Sequence, residues 1–340
     1  MRVLVLGGSG HVGSRLCVML RDSGWATPIS ASTRRLAPGV ESLRLDARDP
    51  VALRRALAGA DAVVNCVAGS AGAIAEGTRL LTRTALAAGC RRLVHLSTMA
   101  VYGPVEGTVD ESVALDGSLG WYARAKCEAE RHVAAFVEQG GSATVLRPGC
   151  VWGPGSTLWV DRIARLLRAG RLGDLGIAGD GWSNLVHVDD VAAAVMAALR
   201  ETQLPRPLNV YNLAAPDSPR WNEYFVDLAL AIRATPVRRL AALQLQADAL
   251  VASPMLKVAD LLARRLLREE HLVPVPIAPN LLGLWERHLR LDGSRAEREL
   301  GLRWTPYAEA LQQSAAWFLR EEASQRRERG ARLEGSDSRI

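Results

Sequence analysis

Within Val3-Leu4-Val5-Leu6-Gly7-Gly8-Ser9-Gly10-His11-Val12-Gly13, a short apolar run leads directly into a GxxGxxG spacing. The residues that follow, from His11 to about Asp22, carry apolar side chains every three or four positions, which predicts a helix. Strand, glycine turn and helix in this order form the start of a dinucleotide-binding βαβ unit. Gly7 allows the tight turn. Gly10 lets backbone N–H groups approach a pyrophosphate at the helix N-terminus, and Gly13 permits close packing of helix on strand. Ser9, His11 and Val12 line the same loop.

Outward from this unit the pattern repeats. Apolar strand-like runs occur at Thr27 to Ser32, Ser42 to Leu45, Ala62 to Ala68, Arg92 to Ser97 and Ala143 to Arg147, with helical spacing between them at Pro50 to Leu57, Glu76 to Ala88 and Trp121 to Glu138. Such alternation predicts right-handed crossovers and a doubly wound parallel α/β sheet covered on both faces, a Rossmann core over residues 1–150. After Pro148 the order is less regular. Helical patterns near Leu158 to Arg168, Val188 to Arg200 and Trp221 to Ala234, and a strand run at Asn209 to Ala214, predict that residues 151–320 mix core completion with a smaller, mostly helical substrate lobe. Residues 240–291 are rich in Leu, Ala and Arg, and read as an amphipathic cap over an apolar pocket or, alternatively, as a peripheral membrane contact. From Glu321 the charged tail 321–340 lacks apolar periodicity and is expected to be disordered.

An acidic residue at the end of the second strand would hydrogen-bond the adenosine ribose and repel a 2′-phosphate. Here the stretch is Ser32-Thr33-Arg34-Arg35, two hydroxyls and two guanidiniums that suit a phosphate dianion, so NADP(H) is the expected cofactor, with NAD(H) the alternative. Asp46, closing the third strand, is placed to meet the adenine edge or to cap a turn.

Tyr122 and Lys126 stand four residues apart in a helical pattern and share one helix face. With five tyrosines and two lysines, Lys126 and Lys257, in 340 residues, a chance YxxxK match is improbable. An ammonium beside a phenol is expected to lower the phenol's pKa, so that Tyr122 exchanges a proton with a substrate oxygen. Lys126 would also hold the nicotinamide ribose. The fifth strand run closes on Ser97-Thr98, hydroxyls at the C-terminal edge of the sheet where doubly wound folds bind ligands; Thr98 is the expected partner of Tyr122, with Ser97 the lesser candidate.

Composition narrows the remaining classes. The 42 basic and 36 acidic residues are dispersed, which argues against a nucleic-acid partner. Five cysteines without a CxxC pair suit a reducing compartment and no zinc site. No apolar run reaches membrane-spanning length and the first residues lack a signal-peptide pattern, so a cytoplasmic location is expected. His187, Asp189 and Asp190 read as a strand end and a helix N-cap rather than as metal ligands.

With GGSGHVG, STMAVYG, YARAK, Leu146 to Gly155 (LRPGCVWGPG) and Leu185 to Val195 (LVHVDDVAAAV) in order, the chain resembles the extended short-chain dehydrogenases, the NAD-dependent epimerase/dehydratase family. The resemblance implies a Thr98, Tyr122 and Lys126 triad and commonly a homodimer. It also implies a cofactor laid across the strand ends, with Ala47, Ala68, Gly69, Pro148 and Val151 as further contacts. Sugar-nucleotide dehydratases of the family carry an Asp-Glu pair where Met99 and Ala100 stand, and its sugar-nucleotide enzymes carry Asn and Arg where Cys150 and Ser183 stand. Those departures favour the reductase and hydroxysteroid dehydrogenase side. The expectation is therefore an NADP(H)-dependent oxidoreductase that reduces a ketone or aldehyde, or oxidises the alcohol, of a hydrophobic small molecule, to which Trp152, Trp159 and Trp182 also point. The alternatives are a nucleotide-sugar epimerase or 4-ketoreductase, and a non-catalytic NADP(H)-sensing regulator.

Overall fold

The computed structural model describes residues 1–33, 39–200, 206–256, 258–259 and 275–337. From the N-terminus run β1 (Arg2–Leu6), α1 (His11–Ser23), β2 (Thr27–Ser32), β3 (Glu41–Arg44), α2 (Pro50–Leu57), β4 (Ala62–Asn65), α3 (Ala71–Ala87) and β5 (Arg92–Leu96). Then come β6 (Gly107–Val109), α4 (Trp121–Glu138), β7 (Ser142–Pro148), β8 (Cys150–Trp152), α5 (Arg162–Arg168), β9 (Leu185–His187), α6 (Val188–Arg200) and β10 (Leu208–Leu213). The chain continues through α7 (Trp221–Ala231), α8 (Ala242–Ala247), α9 (Pro279–Trp285), β11 (Leu289–Leu291), α10 (Ser294–Leu300) and α11 (Tyr307–Asp337).

Seven strands form one parallel sheet in the order β10-β7-β5-β4-β1-β2-β3. Strands buried on both faces need apolar residues at every position rather than at alternate ones. In β1, Val3 and Val5 join the cluster built with Leu16, Leu20, Val191 and Val195 of α1 and α6, whereas Leu4 and Leu6 join Leu53, Leu57, Leu81, Val133 and Phe136 of α2, α3 and α4. Successive strands step outward from β1 to β3 on one side and from β4 to β10 on the other. The order reverses between β1 and β4, which opens a crevice at their C-terminal ends.

Element ends depend on side chains that periodicity does not report. β4 stops at Asn65 rather than running to Ala68, because the Asn65 Oδ1 accepts the Val67 N–H at 3.1 Å and turns the chain out of the ladder. α3 begins at Ala71, five residues before the expected Glu76, where the Ser70 hydroxyl accepts the Ala73 N–H. α5 begins at Arg162 rather than Leu158, since Thr157–Asp161 winds as a π-helical turn. The pairing of β11 with β6 has no counterpart in the sequence pattern.

The chain divides into two compact units. One comprises Met1–Val151, Asn184–Pro216 and Leu289–Thr305 and holds the seven-stranded sheet; the other comprises Trp152–Ser183, Asp217–His288 and Pro306–Ile340. In the second unit Trp152 stacks on Tyr307 with centroids 5.6 Å apart, Trp159 packs on Trp221, and Phe225 meets Trp285 edge-on. Trp182 lies under the Arg220 guanidinium. Trp152 and Trp159 thus serve packing within the unit, so their presence alone says nothing of a substrate.

In place of the disorder expected from Glu321, α11 continues as helix to Asp337. Glu322 receives Arg168 at 3.3 Å and Arg326 at 3.4 Å, and Gln325 accepts from Arg165 at 3.0 Å, so ion pairs and hydrogen bonds tie down the first part of this charged stretch. Of 240–291, residues 257 and 260–274 lie outside the described residues; before them Leu245 and Ala249 are buried while Leu243, Leu250 and Met255 are exposed. No described helix is long and apolar enough to cross a membrane.

Candidate active site

The glycine loop closes the crevice from β1. Gly7 sits at φ +76°, a left-handed conformation, and a Cβ there would come within 2.8 Å of the Cys66 carbonyl oxygen. At Gly13 a Cβ would meet the Gly7 carbonyl oxygen at 2.3 Å, so only glycine lets α1 start this close to the loop. Gly10 is the N-cap of α1 and offers no side-chain cap, and the amides of the first turn have no intrahelical acceptor. A cradle of glycine backbone at an uncapped helix N-terminus fits the diphosphate of a dinucleotide, with the helix dipole adding positive potential. Gly8, not singled out from the sequence, is equally constrained: a Cβ would strike the Ser30 hydroxyl of β2 at 2.4 Å.

Beside this loop, β5 ends and α4 begins. Thr98 has extended backbone, and its hydroxyl accepts the Ala100 N–H at 3.3 Å and lies near enough to the Tyr122 phenol to act on its pKa. Lys126, one turn along α4 from Tyr122, is buried; its Nζ donates to the Leu96 carbonyl at 2.7 Å and to the Val67 carbonyl at 3.3 Å. The three residues expected to act together are therefore gathered at one edge of the sheet. Ser97 is not part of this group: its hydroxyl is turned to the buried Glu130 carboxylate.

The electrostatics differ from the expectation for Tyr122. Its phenol lies above the ordinary value, because burial raises it more than the nearby Thr98 hydroxyl lowers it. The Lys126 ammonium is engaged by two carbonyls, and burial pushes it down to about 8 while Cys66 and Glu130 act in the opposite sense. Tyr122 accordingly holds its proton at neutral pH.

Glu130 continues the α4 face as the third residue of a four-residue spacing after Tyr122 and Lys126. It takes a bidentate pair from Arg147 of β7, at 2.7 and 3.1 Å, and Arg147 also donates to the Tyr102 hydroxyl at 3.0 Å. Tyr102 in turn donates to Asn212 Oδ1 of β10 at 2.6 Å. The spacing Tyr122, Lys126, Glu130 could have flagged this acid, but a helical Glu in an arginine-rich chain reads as a solvated one.

Among the other expected positions, Ser32 ends β2 half-buried and Thr33 is exposed, while Arg34 and Arg35 lie outside the described residues. The Asp46 carboxylate is held by Arg48 through both its backbone N–H at 2.9 Å and its guanidinium at 2.8 Å, the turn-capping arrangement. Ala47 is buried under α3, Ala68 and Gly69 are exposed in the loop after β4, Pro148 is buried at the end of β7, and Val151 is half-buried in β8. Asp189 and Asp190 lie inside the first turn of α6 rather than at its N-cap. Asp189 pairs with Arg15 of α1 at 2.5 Å, and Asp190 accepts from the Thr305 N–H and hydroxyl at 3.0 and 2.7 Å. Ser183 donates to the Pro219 carbonyl.

Comparison with known proteins agrees with this architecture. The chain is 35% identical over 215 residues to the 2-alkyl-3-oxoalkanoate reductase of Stenotrophomonas maltophilia, a match covering 57% of this chain and 64% of that enzyme's own length. It is 33% identical over 268 residues to the 3-diazoavenalumate denitrifying reductase of a Streptomyces species, covering 71% of this chain and 85% of the relative. In fold it is similar to DesIV, the dTDP-glucose 4,6-dehydratase of Streptomyces venezuelae solved with NAD bound, at a TM-score of 0.72 and 22% identity over 95% of this chain and 98% of that one. Residues 3–214, from the first strand of the glycine unit to the end of β10, match the model of the NAD dependent epimerase/dehydratase family, and the chain belongs to that family.

Proposed function

We propose that the chain catalyses NADP(H)-linked interconversion of a ketone or aldehyde and its alcohol on an apolar small molecule. The observation that carries this reading is the Thr98 hydroxyl beside the Tyr122 phenol with the Lys126 ammonium one helical turn away, at the sheet edge beside the glycine cradle. Gly7, Gly10 and Gly13 with the first turn of α1 would hold the diphosphate, and Lys126 the nicotinamide ribose. A nicotinamide cofactor, when bound, supplies or takes up the hydride.

The chain's own residues handle the proton. Tyr122, protonated at neutral pH, gives its phenolic proton to the substrate oxygen in the reductive direction, and Thr98 donates a hydrogen bond to the same oxygen. The buried Lys126 charge favours the phenolate as it forms. Ser32 and Thr33, with no carboxylate at the end of β2 and Arg34-Arg35 next in sequence, support NADP(H) over NAD(H).

Met99 and Ala100, in the turn after Thr98, carry no group able to move a further proton, which argues against dehydration. Trp121 is 57% exposed and meets Tyr122 edge-on at 5.8 Å, an apolar surface beside the proton donor that supports an apolar substrate. The Stenotrophomonas and Streptomyces relatives are both named reductases.

The test is incubation of the chain with NADPH and a panel of apolar ketones, followed by cofactor absorbance. Tyr122→Phe is expected to lower turnover by at least about 10²-fold while leaving NADPH affinity unchanged. Turnover that survives this substitution overturns the mechanism, and saturable binding of UDP or dTDP in calorimetry would point to a nucleotide-sugar substrate instead.

A further inference from the structure

Beneath the Tyr122 and Lys126 pair lies a second set of hydrogen bonds, centred on Asn65 at the end of β4. Its side chain is buried. Nδ2 donates to Thr78 Oγ1 of α3 at 3.1 Å and faces His95 Nδ1 of β5 at 3.2 Å, while Oδ1 accepts the Val67 N–H at 3.1 Å. Thr78 passes its own proton to the Ile74 carbonyl at 2.6 Å, which leaves its oxygen free to accept. Burial and the nearby Lys126 charge hold His95 well below the ordinary histidine range. The imidazole is therefore neutral, and its Nδ1 can accept the second Asn65 proton.

Each hydrogen-bonding role of this amide is thereby assigned. The two donors fix the plane of the side chain against α3 and β5, and the acceptor fixes the first bend of the loop after β4. One residue does what neither a carboxylate nor an alcohol can, since the position requires two protons donated and one accepted. The bend has a consequence for the site: the carbonyl of the residue whose N–H Asn65 holds, Val67, is the one that accepts from Lys126 Nζ. The other acceptor, the Leu96 carbonyl, belongs to β5 and is placed by the sheet.

We propose that Asn65 is a positioning residue for Lys126, holding the Val67 carbonyl against its ammonium through a side-chain amide locked by Thr78 and His95. The role of Lys126 in turnover rests on the reading under Proposed function; its placement does not. The groups around the ammonium are Cys66 in the same loop as Val67, whose thiol is pushed up to about 12 and stays neutral, the neutral His95 from β5, and Glu130 on its own helix, with the Tyr122 phenol one turn earlier on that helix. Glu130 is the one negative charge among these four.

The chain's two lysines make a direct measurement possible. Full-length protein labelled with ¹³C at lysine Cε gives two NMR signals, and Lys126→Met assigns them. In Asn65→Ala, the ammonium loses a fixed carbonyl acceptor, so the Lys126 midpoint is expected to fall by about one pH unit, tenfold in its dissociation constant, with Lys257 unmoved. Thr78→Val, which removes one anchor of the amide and keeps the side-chain volume, is expected to move it in the same direction by roughly a third as much, and it decides the question if Asn65→Ala does not fold.

A merely structural role lowers the melting temperature of both variants and leaves the midpoint in place. A Lys126 midpoint within about 0.2 units of wild type in the folded variants overturns the proposal. The titration is made without substrate, so the two readings fail separately. An unmoved midpoint beside an inactive Tyr122→Phe sinks the role of Asn65 alone, and a shifted midpoint beside an active Tyr122→Phe sinks the catalytic assignment alone.

Discussion

Ser97 and Thr98 are adjacent hydroxyl residues with separate partners, because successive side chains of extended chain point to opposite sides. Ser97 donates to Glu130, and Thr98 lies beside Tyr122. Their substitutions are therefore expected to separate chemistry from stability. On the proposed mechanism Thr98→Ala would remove the second donor to the substrate oxygen and is expected to lower kcat by about 10²-fold, with Thr98→Ser recovering most of it. Ser97→Ala is expected to leave kcat within a small factor and to lower unfolding free energy by about 1–2 kcal/mol, since it removes a donor from a buried carboxylate. Steady-state kinetics and urea unfolding on the three variants check both expectations, and a Ser97→Ala variant as slow as Thr98→Ala would reverse the assignment. That hydroxyl residues follow the fifth strand at the sheet edge was legible in the sequence. The direction of the Tyr122 shift was not, because it is set by how deeply the fold buries the phenol, which helical spacing does not report.

The helix α4 shows how much further an element constrains its residues than a motif does. Tyr122, Lys126 and Glu130 repeat every four residues, so the helix that presents the phenol at the sheet edge also carries a carboxylate into the core, where Arg147 of β7 meets it. Both side chains of this pair are 6% exposed. Arg147→Met leaves that carboxylate buried without its partner and is expected to cost about 3–5 kcal/mol of stability, whereas the double change Arg147→Met with Glu130→Leu is expected to recover much of the loss. Urea unfolding of the two variants decides it: equal loss in both would mean that packing around Arg147, rather than the charge left behind, sets the cost. The existence of α4, and its limits at Trp121 and Glu138, followed from periodicity. The ends of β4 and α3 did not, because they are set by single side-chain hydrogen bonds from Asn65 and Ser70. Nor did the pairing of β6 with β11, since three-residue strands carry no periodic signal.

At the scale of the whole molecule, reversal of the strand order between β1 and β4 gathers residues 7–13, 66–69, 97–98 and 122–126 at one edge of the sheet. That gathering places an ammonium inside the protein, and the cost falls on global stability. The ordinary lysine value is 10.5 and the folded value of Lys126 about 8. Below pH 8 both folded and unfolded chains carry the proton, so the folded state bears the full penalty of burying the charge. Between 8 and 10.5 the unfolded chain still binds a proton that the folded chain has released, so this residue makes stability rise with pH; above 10.5 the penalty is gone. Lys126→Met removes the charge while keeping most of the apolar stem. The variant is therefore expected to be more stable than wild type at pH 7, by an amount on the order of 3 kcal/mol, and the gap is expected to close as pH rises from 8 toward 10.5. Reversible urea unfolding of both proteins at pH 7 and at steps across that window measures the difference directly, with every other titrating group cancelling between them. A gap that stays constant across the window, or a variant less stable than wild type at pH 7, would mean that the Leu96 and Val67 carbonyls fully compensate the buried charge.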